Sequence, residues 1–299
     1  MERERPNFFA GPYIDRRTEE RDDPEWLAAA RADPATRYLI SQGTEQLLQS
    51  GAEPRIALLG ADSPLVAAAE PGSEVLLGWF QGARCILAEL PVGRSLELPP
   101  GTGLAELRPL TAQLPADEAG LLAYARALVI SRARHRICGV CGAPTVATRA
   151  GHCRVCSDPN CAQEYFPRID PAIIVLVSDG ERALLGRQAS WPPRRYSTIA
   201  GFVEPGESLE DAVVREVAEE TGVTVTEVRY HSSQPWPFPS SVMLGFRARA
   251  PAGSEVRIGG ELEDARWFTR EQVHAGEALT PPTQSISWRL IESWLKGSA

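Results

Sequence analysis

Three glutamates, Glu216, Glu219 and Glu220, stand at i, i+3 and i+4 just after the glycine- and proline-bearing stretch Gly201-Phe202-Val203-Glu204-Pro205-Gly206-Glu207-Ser208. On an α-helix that spacing sends all three carboxylates to one face. Clustered carboxylates repel one another, and a fold tolerates this mainly where a hard divalent cation sits among them. Mg2+ shared between carboxylates and the phosphates of a substrate is the chemistry that suits the arrangement. Taken alone, the three acids would also fit a solvated helix face with ordinary ion pairs. Local signals mark the helix ends: Ser208 is placed as N-cap with Asp211 three residues on, and Gly222 stands where the C-terminus turns.

A second set of chemical residues lies upstream. Of the six cysteines, five fall between Cys138 and Cys161. Cys138-Gly-Val-Cys141-Gly142 has the spacing of a zinc knuckle, with a glycine that lets the backbone fold back toward sulfur. The other half of the site is open on spacing alone. Cys153 and Cys156 are separated by two residues, Cys156 and Cys161 by four, and both separations occur in zinc ribbons. Pro159-Asn160 is a turn that could bring Cys161 beside Cys156. Four thiolates close a tetrahedral shell, so the ion would be structural; His135 and His152 are expected to be bystanders.

A third segment, Ser233-Gln234-Pro235-Trp236-Pro237-Phe238-Pro239-Ser240-Ser241, carries three prolines in alternate positions. Prolines cannot donate to a ladder, which predicts a stiff extended loop presenting Trp236 and Phe238. Rigid aromatics of this kind suit stacking on a planar base, or else packing over a core.

From Gly201 the spacing reads G-x5-E-x7-R-E-V-x-E-E-x-G-V, which resembles the Nudix hydrolase box at every defined position. With the cysteine ribbon before it and the Ser233–Ser241 segment after it, residues 130–299 resemble the NADH pyrophosphatase branch of that superfamily. The resemblance implies an α+β protein: a C-terminal Nudix fold with a mixed sheet between helices, a small zinc ribbon, and an N-terminal, mostly β, Nudix-like domain. It implies Glu216 and Glu220 as ligands of Mg2+ or Mn2+, and Glu219 as a ligand or water activator. Glu261 is implied as a later metal ligand, the Ala200 carbonyl as another, and Arg215 paired with Glu207 as the tie between loop and helix. Substrate contacts are implied at Gln234, Pro235, Trp236, Pro237, Phe238, Pro239, Ser240 and Ser241, and more weakly at Phe166, Phe202 and Ser287. The family's last zinc cysteine lies six positions before the proline that opens the catalytic domain. Cys161 stands six before Pro167, which implies Cys138, Cys141, Cys156 and Cys161 as ligands of one Zn2+ per chain and leaves Cys153 spare. Val242, where relatives often carry Leu, and Phe166, where some carry Tyr, depart from the family pattern.

The activity implied is hydrolysis of NADH or NAD+ across the central pyrophosphate, giving nicotinamide mononucleotide and AMP, with removal of NAD caps from RNA by the same chemistry. The rival readings are a broad hydrolase of nucleoside diphosphate derivatives and a noncatalytic module that senses a dinucleotide. A homodimer is the expected assembly.

Around these motifs, 299 residues are enough for two domains and a small module. The expected division is 1–132, a scaffold or dimerisation domain; 133–167, the ribbon; and 168–299, the catalytic domain. A net charge of −8 disfavours broad nonspecific binding to nucleic acid. No apolar run approaches the roughly 18 residues of a membrane span, and the charged N-terminus lacks a signal core, so no membrane is expected and the location is expected to be cytoplasmic. Residues 1–25 are expected to be loosely ordered, with Asn7-Phe8-Phe9 as their apolar anchor. Strands are expected around 55–59, 75–80 and 85–90, and a helix over Ala116–Arg134. In the catalytic part, Ala172–Val177 and Ala183–Gly186 should form a hairpin around Asp179-Gly180, with strands over Val242–Ala250 and Ala265–Phe268 and a last helix over Ser285–Lys296.

Overall fold

A computed structural model describes residues 6–297, which fall into two compact units. One comprises Phe9–Arg168 together with Pro237–Ser240; the other takes in the remaining described residues.

In the first unit, helix α1 (Pro24–Ala32) starts at Asp23, whose side chain accepts from the Glu25 amide, with proline in the first turn. It places Trp26 and Ala30 against an eight-stranded sheet. There β1 (Arg37–Gln42) runs parallel to β2 (Ala83–Leu90), the strand that follows the antiparallel Val75–Phe80. Leu47, Leu76, Ile86 and Leu90 fill the core beneath. Helix α2 (Ala116–Arg134) buries Leu121, Leu122, Ala125, Leu128 and Val129, the face that the periodicity predicted. The expectation of looseness near the N-terminus fails for the described residues, and residues 1–5 lie outside them. Phe9 is buried, Ile14–Asp15 pairs with Phe80 and Trp79, and the Tyr13 ring lies against Gly120 of α2. Composition misses this because a few apolar side chains with tertiary partners can order a charged segment.

The ribbon belongs to the same unit. Its three strands, β3 (Thr145–Thr148), β4 (Cys153–Cys156) and β5 (Glu164–Tyr165), form an antiparallel sheet with β4 in the centre.

The second unit is built on a six-stranded mixed sheet. Its central strand β6 (Asp170–Ser178) forms the expected hairpin with β7 (Arg182–Arg187) and also pairs with β8 (Ile199–Phe202). Alternation along β6 supplies both faces. Ile173, Val175 and Val177 join Ala212, Val213 and Val217 of helix α3 (Leu209–Thr221). Ile174 and Leu176 join Ile286, Leu290, Ile291 and Trp294 of helix α5 (Ile286–Leu295), which follows the short α4 (Arg270–His274). A strand buried on both sides reads as a continuous apolar run, which is why this one stood out in the sequence. The remaining strands are β9 (Thr226–Trp236), β10 (Ser241–Arg249) and β11 (Asp264–Thr269); β10 lies parallel to β6 and antiparallel to β9, and β11 pairs with β7.

One expected loop is mostly strand. Ser233, Gln234, Pro235 and Trp236 pair with Leu244, Met243, Val242 and Ser241, so β9 runs through a proline. β9 lies at the sheet edge, where a missing N–H on the outward side costs no ladder bond. Only Pro237–Ser240 turns between the two strands.

Candidate active site and zinc centre

Helix α3 holds the acids. The Ser208 hydroxyl accepts from the Asp211 amide at 3.1 Å, and Gly222 closes the helix in the left-handed region at φ 68°. The buried apolar face of α3 fixes its roll on the sheet, which leaves Glu216 half-buried, Glu219 exposed and Glu220 buried.

Arg215 organises the cluster. Its Nε and Nη2 hold both oxygens of Glu207 at 2.7 and 2.9 Å, the pairing that the motif implied. Nη2 also donates to the Phe202 carbonyl at 2.9 Å, while Nη1 reaches Glu216 at 2.8 Å and Glu219 at 3.1 Å. These five contacts match the five N–H groups of a guanidinium, so the fork is fully used. Glu207 also accepts from the Glu204 amide at 3.0 Å. The Arg215 bond and that amide hold its carboxyl down at about 2. Gly201 lies so close beneath that a Cβ there would meet the Glu216 carboxylate at 1.9 Å.

Glu220 has none of this support. Burial first, and then the charges of Glu216, Glu261 and Glu219, raise its carboxyl to about 7. Burial also raises Glu216, against the pull of Arg215. A buried carboxylate pressed by the charge of three others suits a divalent cation. Glu261 stands exposed on the connection between β10 and β11, and Ala200 lies in β8 opposite Ile174.

The implied substrate contacts fall into three groups. Phe202, at 60% exposure, and Trp236, half-buried at the end of β9, offer aromatic surface on the catalytic unit. Phe166 is also exposed, in the other unit, with the Arg149 guanidinium 5.1 Å from its ring centroid. The turn residues form the second group: Phe238 meets Phe9 edge-on at 6.1 Å, Arg108 and Arg126 lie over its ring, and Arg126 donates to the Pro237 carbonyl at 2.6 Å. Pro235 and Pro239 are exposed, whereas Ser240 and Ser241 are buried.

The third group is committed to internal bonds. Gln234 is fully buried; its amide donates to the Gln284 carbonyl at 2.7 Å and accepts from the Ile286 amide at 2.9 Å. Ser287 accepts from the Thr198 amide at 3.1 Å and lies 2.8 Å from the Ser197 hydroxyl. Both side chains tie α5 to the sheet.

In the ribbon, the sulfurs of Cys138, Cys141, Cys156 and Cys161 all lie within 4.8 Å of one another. Cys138 and Cys161 are 3.7 Å apart, Cys141 and Cys156 3.3 Å. A tetrahedral zinc with bonds of about 2.3 Å needs sulfurs about 3.8 Å apart, so the shell fits zinc. Cys153 is buried outside this group, its thiol 3.6 Å from the Arg154 carbonyl. His152 bonds the Leu76 carbonyl at 2.9 Å, and His135 stacks on Tyr165. Tyr165 itself had no signal in the sequence. Its hydroxyl accepts from the Gly139 amide at 2.8 Å and donates to the Cys138 sulfur at 3.1 Å, which lowers that thiol to about 6.

The family model described as the NUDIX domain matches residues 168–290. The NADH pyrophosphatase zinc ribbon domain matches 133–166, and the NADH pyrophosphatase-like rudimentary NUDIX domain matches 35–130. Over 97% of its length the chain is 34% identical to the NAD-capped RNA hydrolase NUDT12 of Macaca fascicularis, covering 73% of that protein. It is 41% identical to the NAD-capped RNA hydrolase NudC of Mycobacterium bovis, covering 90% of this chain and 87% of the relative. Among solved structures, a NUDIX hydrolase from Nitrosomonas europaea aligns with 54% of this chain and 90% of its own, at 20% identity and a TM-score of 0.44.

Proposed function

The chain belongs to the NADH pyrophosphatase and NAD-capped RNA hydrolase family of the Nudix hydrolases, and from that premise we propose how its residues divide the work. It is a hydrolase that opens the central pyrophosphate of NADH or NAD+ to give AMP and nicotinamide mononucleotide, the latter in reduced form from NADH, and that removes NAD caps from RNA by the same cleavage.

Glu216, Glu220 and Glu261, with the Ala200 carbonyl, are the groups that would hold Mg2+ or Mn2+. Bound there, such cations neutralise the diphosphate and lower the pKa of water. The remaining work belongs to side chains. Arg215 locks the Glu207 loop to α3 and keeps Glu216 oriented, so the acids do not reorganise during reaction. Glu219 gives one oxygen to Arg215 and keeps the other to bind a cation or to accept a proton from the attacking water. Phe202, its carbonyl fixed by Arg215 and its ring exposed, offers a stacking face beside the acids. Trp236 offers another at the end of β9.

One observation carries the reading: Arg215 satisfies three acids, while Glu220 is left buried and pressed by negative charge. The test is a side-by-side measurement of kcat/KM on NADH, NAD+, ADP-ribose and NAD-capped RNA at saturating Mg2+. NADH, NAD+ and the capped RNA should be cleaved, and ADP-ribose more slowly. Equal rates on all four would mark a broad nucleoside diphosphate hydrolase, and no turnover a dinucleotide sensor.

Zinc in the ribbon is structural by the closed shell of its donors. Among the described residues no helix is long and apolar enough to cross a membrane. The family resemblance further supports residues 1–132 as a scaffold through which two copies pair, and a cytoplasmic location. Light scattering at two protein concentrations tests the pairing.

A further inference from the structure

The loop between β10 and β11 is fastened by its backbone to the end of the catalytic helix. The Arg257 amide donates to the Thr221 carbonyl and the Gly259 amide to the Glu220 carbonyl, each at 2.8 Å. Both acceptors lie in the last turn of α3, where carbonyls have no donor within the helix. The approach is close because each contact has a glycine on one side. A Cβ on Gly259 would stand 2.1 Å from the Glu219 carbonyl oxygen and 3.2 Å from the Glu220 Cα. A Cβ on Gly222 would stand 3.1 Å from the Arg257 Cβ. Gly259 does not have left-handed backbone angles, so the position demands space and nothing else. Next to it, Gly260 has no neighbour within 4 Å of a built Cβ. On either side of the crossing, Val256 and Leu262 pack against the core beneath α3. Glu261 is thereby held between two anchors, two residues beyond the amide that bonds the Glu220 carbonyl.

We propose that Gly259 is a positioning residue of the active site: by letting the loop dock on the last carbonyls of α3, it holds Glu261 against Glu216 and Glu220, so that two separate segments of chain complete the divalent-cation site. The proposal rests on Glu261 belonging to that site. Docking and cation binding are then coupled, since a cation bridging Glu261 to the helix strengthens the same junction that the two amides make.

The test measures Mn2+ binding to the full chain without substrate, by titration calorimetry and by the spin-resonance signal of free Mn2+. Glu261→Gln and Gly259→Ala should each weaken binding by about 10- to 100-fold, the range for residues that hold a metal ligand in place. The double variant should bind no more weakly than Glu261→Gln alone, because a misplaced glutamate and a missing one are equivalent. Gly260→Ala should bind as the wild type does. Gly259→Ala with wild-type affinity, or a double variant whose losses multiply, would overturn the proposal. Unchanged binding in Glu261→Gln would instead sink the assignment of Glu261 on which it rests. Should Gly259→Ala not fold, hydrogen exchange on the wild type decides: the Arg257 and Gly259 amides should be protected, and Mg2+ should slow them further. Fast exchange that Mg2+ leaves unaltered would contradict the docking role.

Discussion

The ribbon and the box helix each carry candidate metal ligands, four cysteines in the one and three glutamates in the other, and they hold them in opposite ways. In the ribbon, four sulfurs stand at the spacing of one tetrahedral shell, with a tyrosine hydroxyl donating to one of them. Along α3, Arg215 holds two of the three glutamates, Glu216 and Glu219, and Glu220 stays buried beside their charge. The first arrangement is closed and complete, so metal there contributes to folding. The second is open and strained by like charge, which favours a cation that a substrate diphosphate can share. The ribbon's closed shell suits a structural ion, whereas the acids of α3 are left short of satisfaction.

If that contrast is right, the two centres should respond to mutation with opposite signs. The largest effect is expected at Glu220. Glu220→Gln removes a charge without changing shape and should lower kcat/KM on the order of a thousandfold, the scale of several kcal/mol of lost electrostatic stabilisation. The same variant, free of divalent cations at pH 8, should melt no lower than the wild type, because it also removes a disfavoured buried charge. Near-normal turnover, or a lower melting point, would blur the distinction.

The second effect belongs to the ribbon. Elemental analysis should find about one zinc per chain, since four thiolates fill a single tetrahedral shell. Cys161→Ser should lose that zinc and melt lower, and Cys153→Ser should keep it. Zinc lost from Cys153→Ser and retained in Cys161→Ser would mean that the wrong pair closes the shell.

A third test uses pH. The folded-state value of Glu220, about 7, lies above the 4.5 of a free glutamate, so the folded protein favours the protonated form. Its contribution to stability is fully present below pH 4.5 and is lost as pH rises through 7. Cation binding runs the other way, because the cation competes with that proton. Mn2+ affinity should therefore rise between pH 6 and pH 8, and Mg2+ should raise the melting temperature more at pH 8. The ribbon zinc should stay bound across that range. Affinity for Mn2+ that is flat in pH would contradict the burial of Glu220 among like charges.

The smallest effect concerns recognition. Trp236→Ala removes a stacking surface worth about 1–3 kcal/mol and should raise KM for NADH more than for ADP-ribose. Mn2+ binding should not change. Equal effects on both substrates would assign Trp236 to packing.

Much of this was legible in the sequence wherever the signal was local. Ser208 and Gly222 mark the ends of α3 because capping is a property of neighbouring residues. The apolar run of β6 is local in the same way, and the Arg215–Glu207 tie is what the family resemblance implies. What the sequence hid depends on the tertiary setting. Pro235 reads as a loop residue, and only the edge position of β9 makes it acceptable in a strand. The resemblance implies Gln234 and Ser287 as substrate contacts, and it gives no hint of their hydrogen-bond partners within the chain, which lie fifty or more residues away. Phe9 and Tyr13 order a charged N-terminal segment through contacts that composition does not register. Tyr165 and Gly259 matter for what they approach, and no spacing rule encodes an approach.

The central claim is that the acids of α3 direct cleavage to the pyrophosphate of the dinucleotide. Mass spectrometry of NADH incubated with the protein and Mg2+, beside the Glu220→Gln variant, tests it most directly. AMP and reduced nicotinamide mononucleotide in equal amounts, formed by the wild type and almost absent with the variant, is the result expected. Release of free nicotinamide with the ADP-ribose moiety left whole, or equal AMP from both proteins, would contradict it.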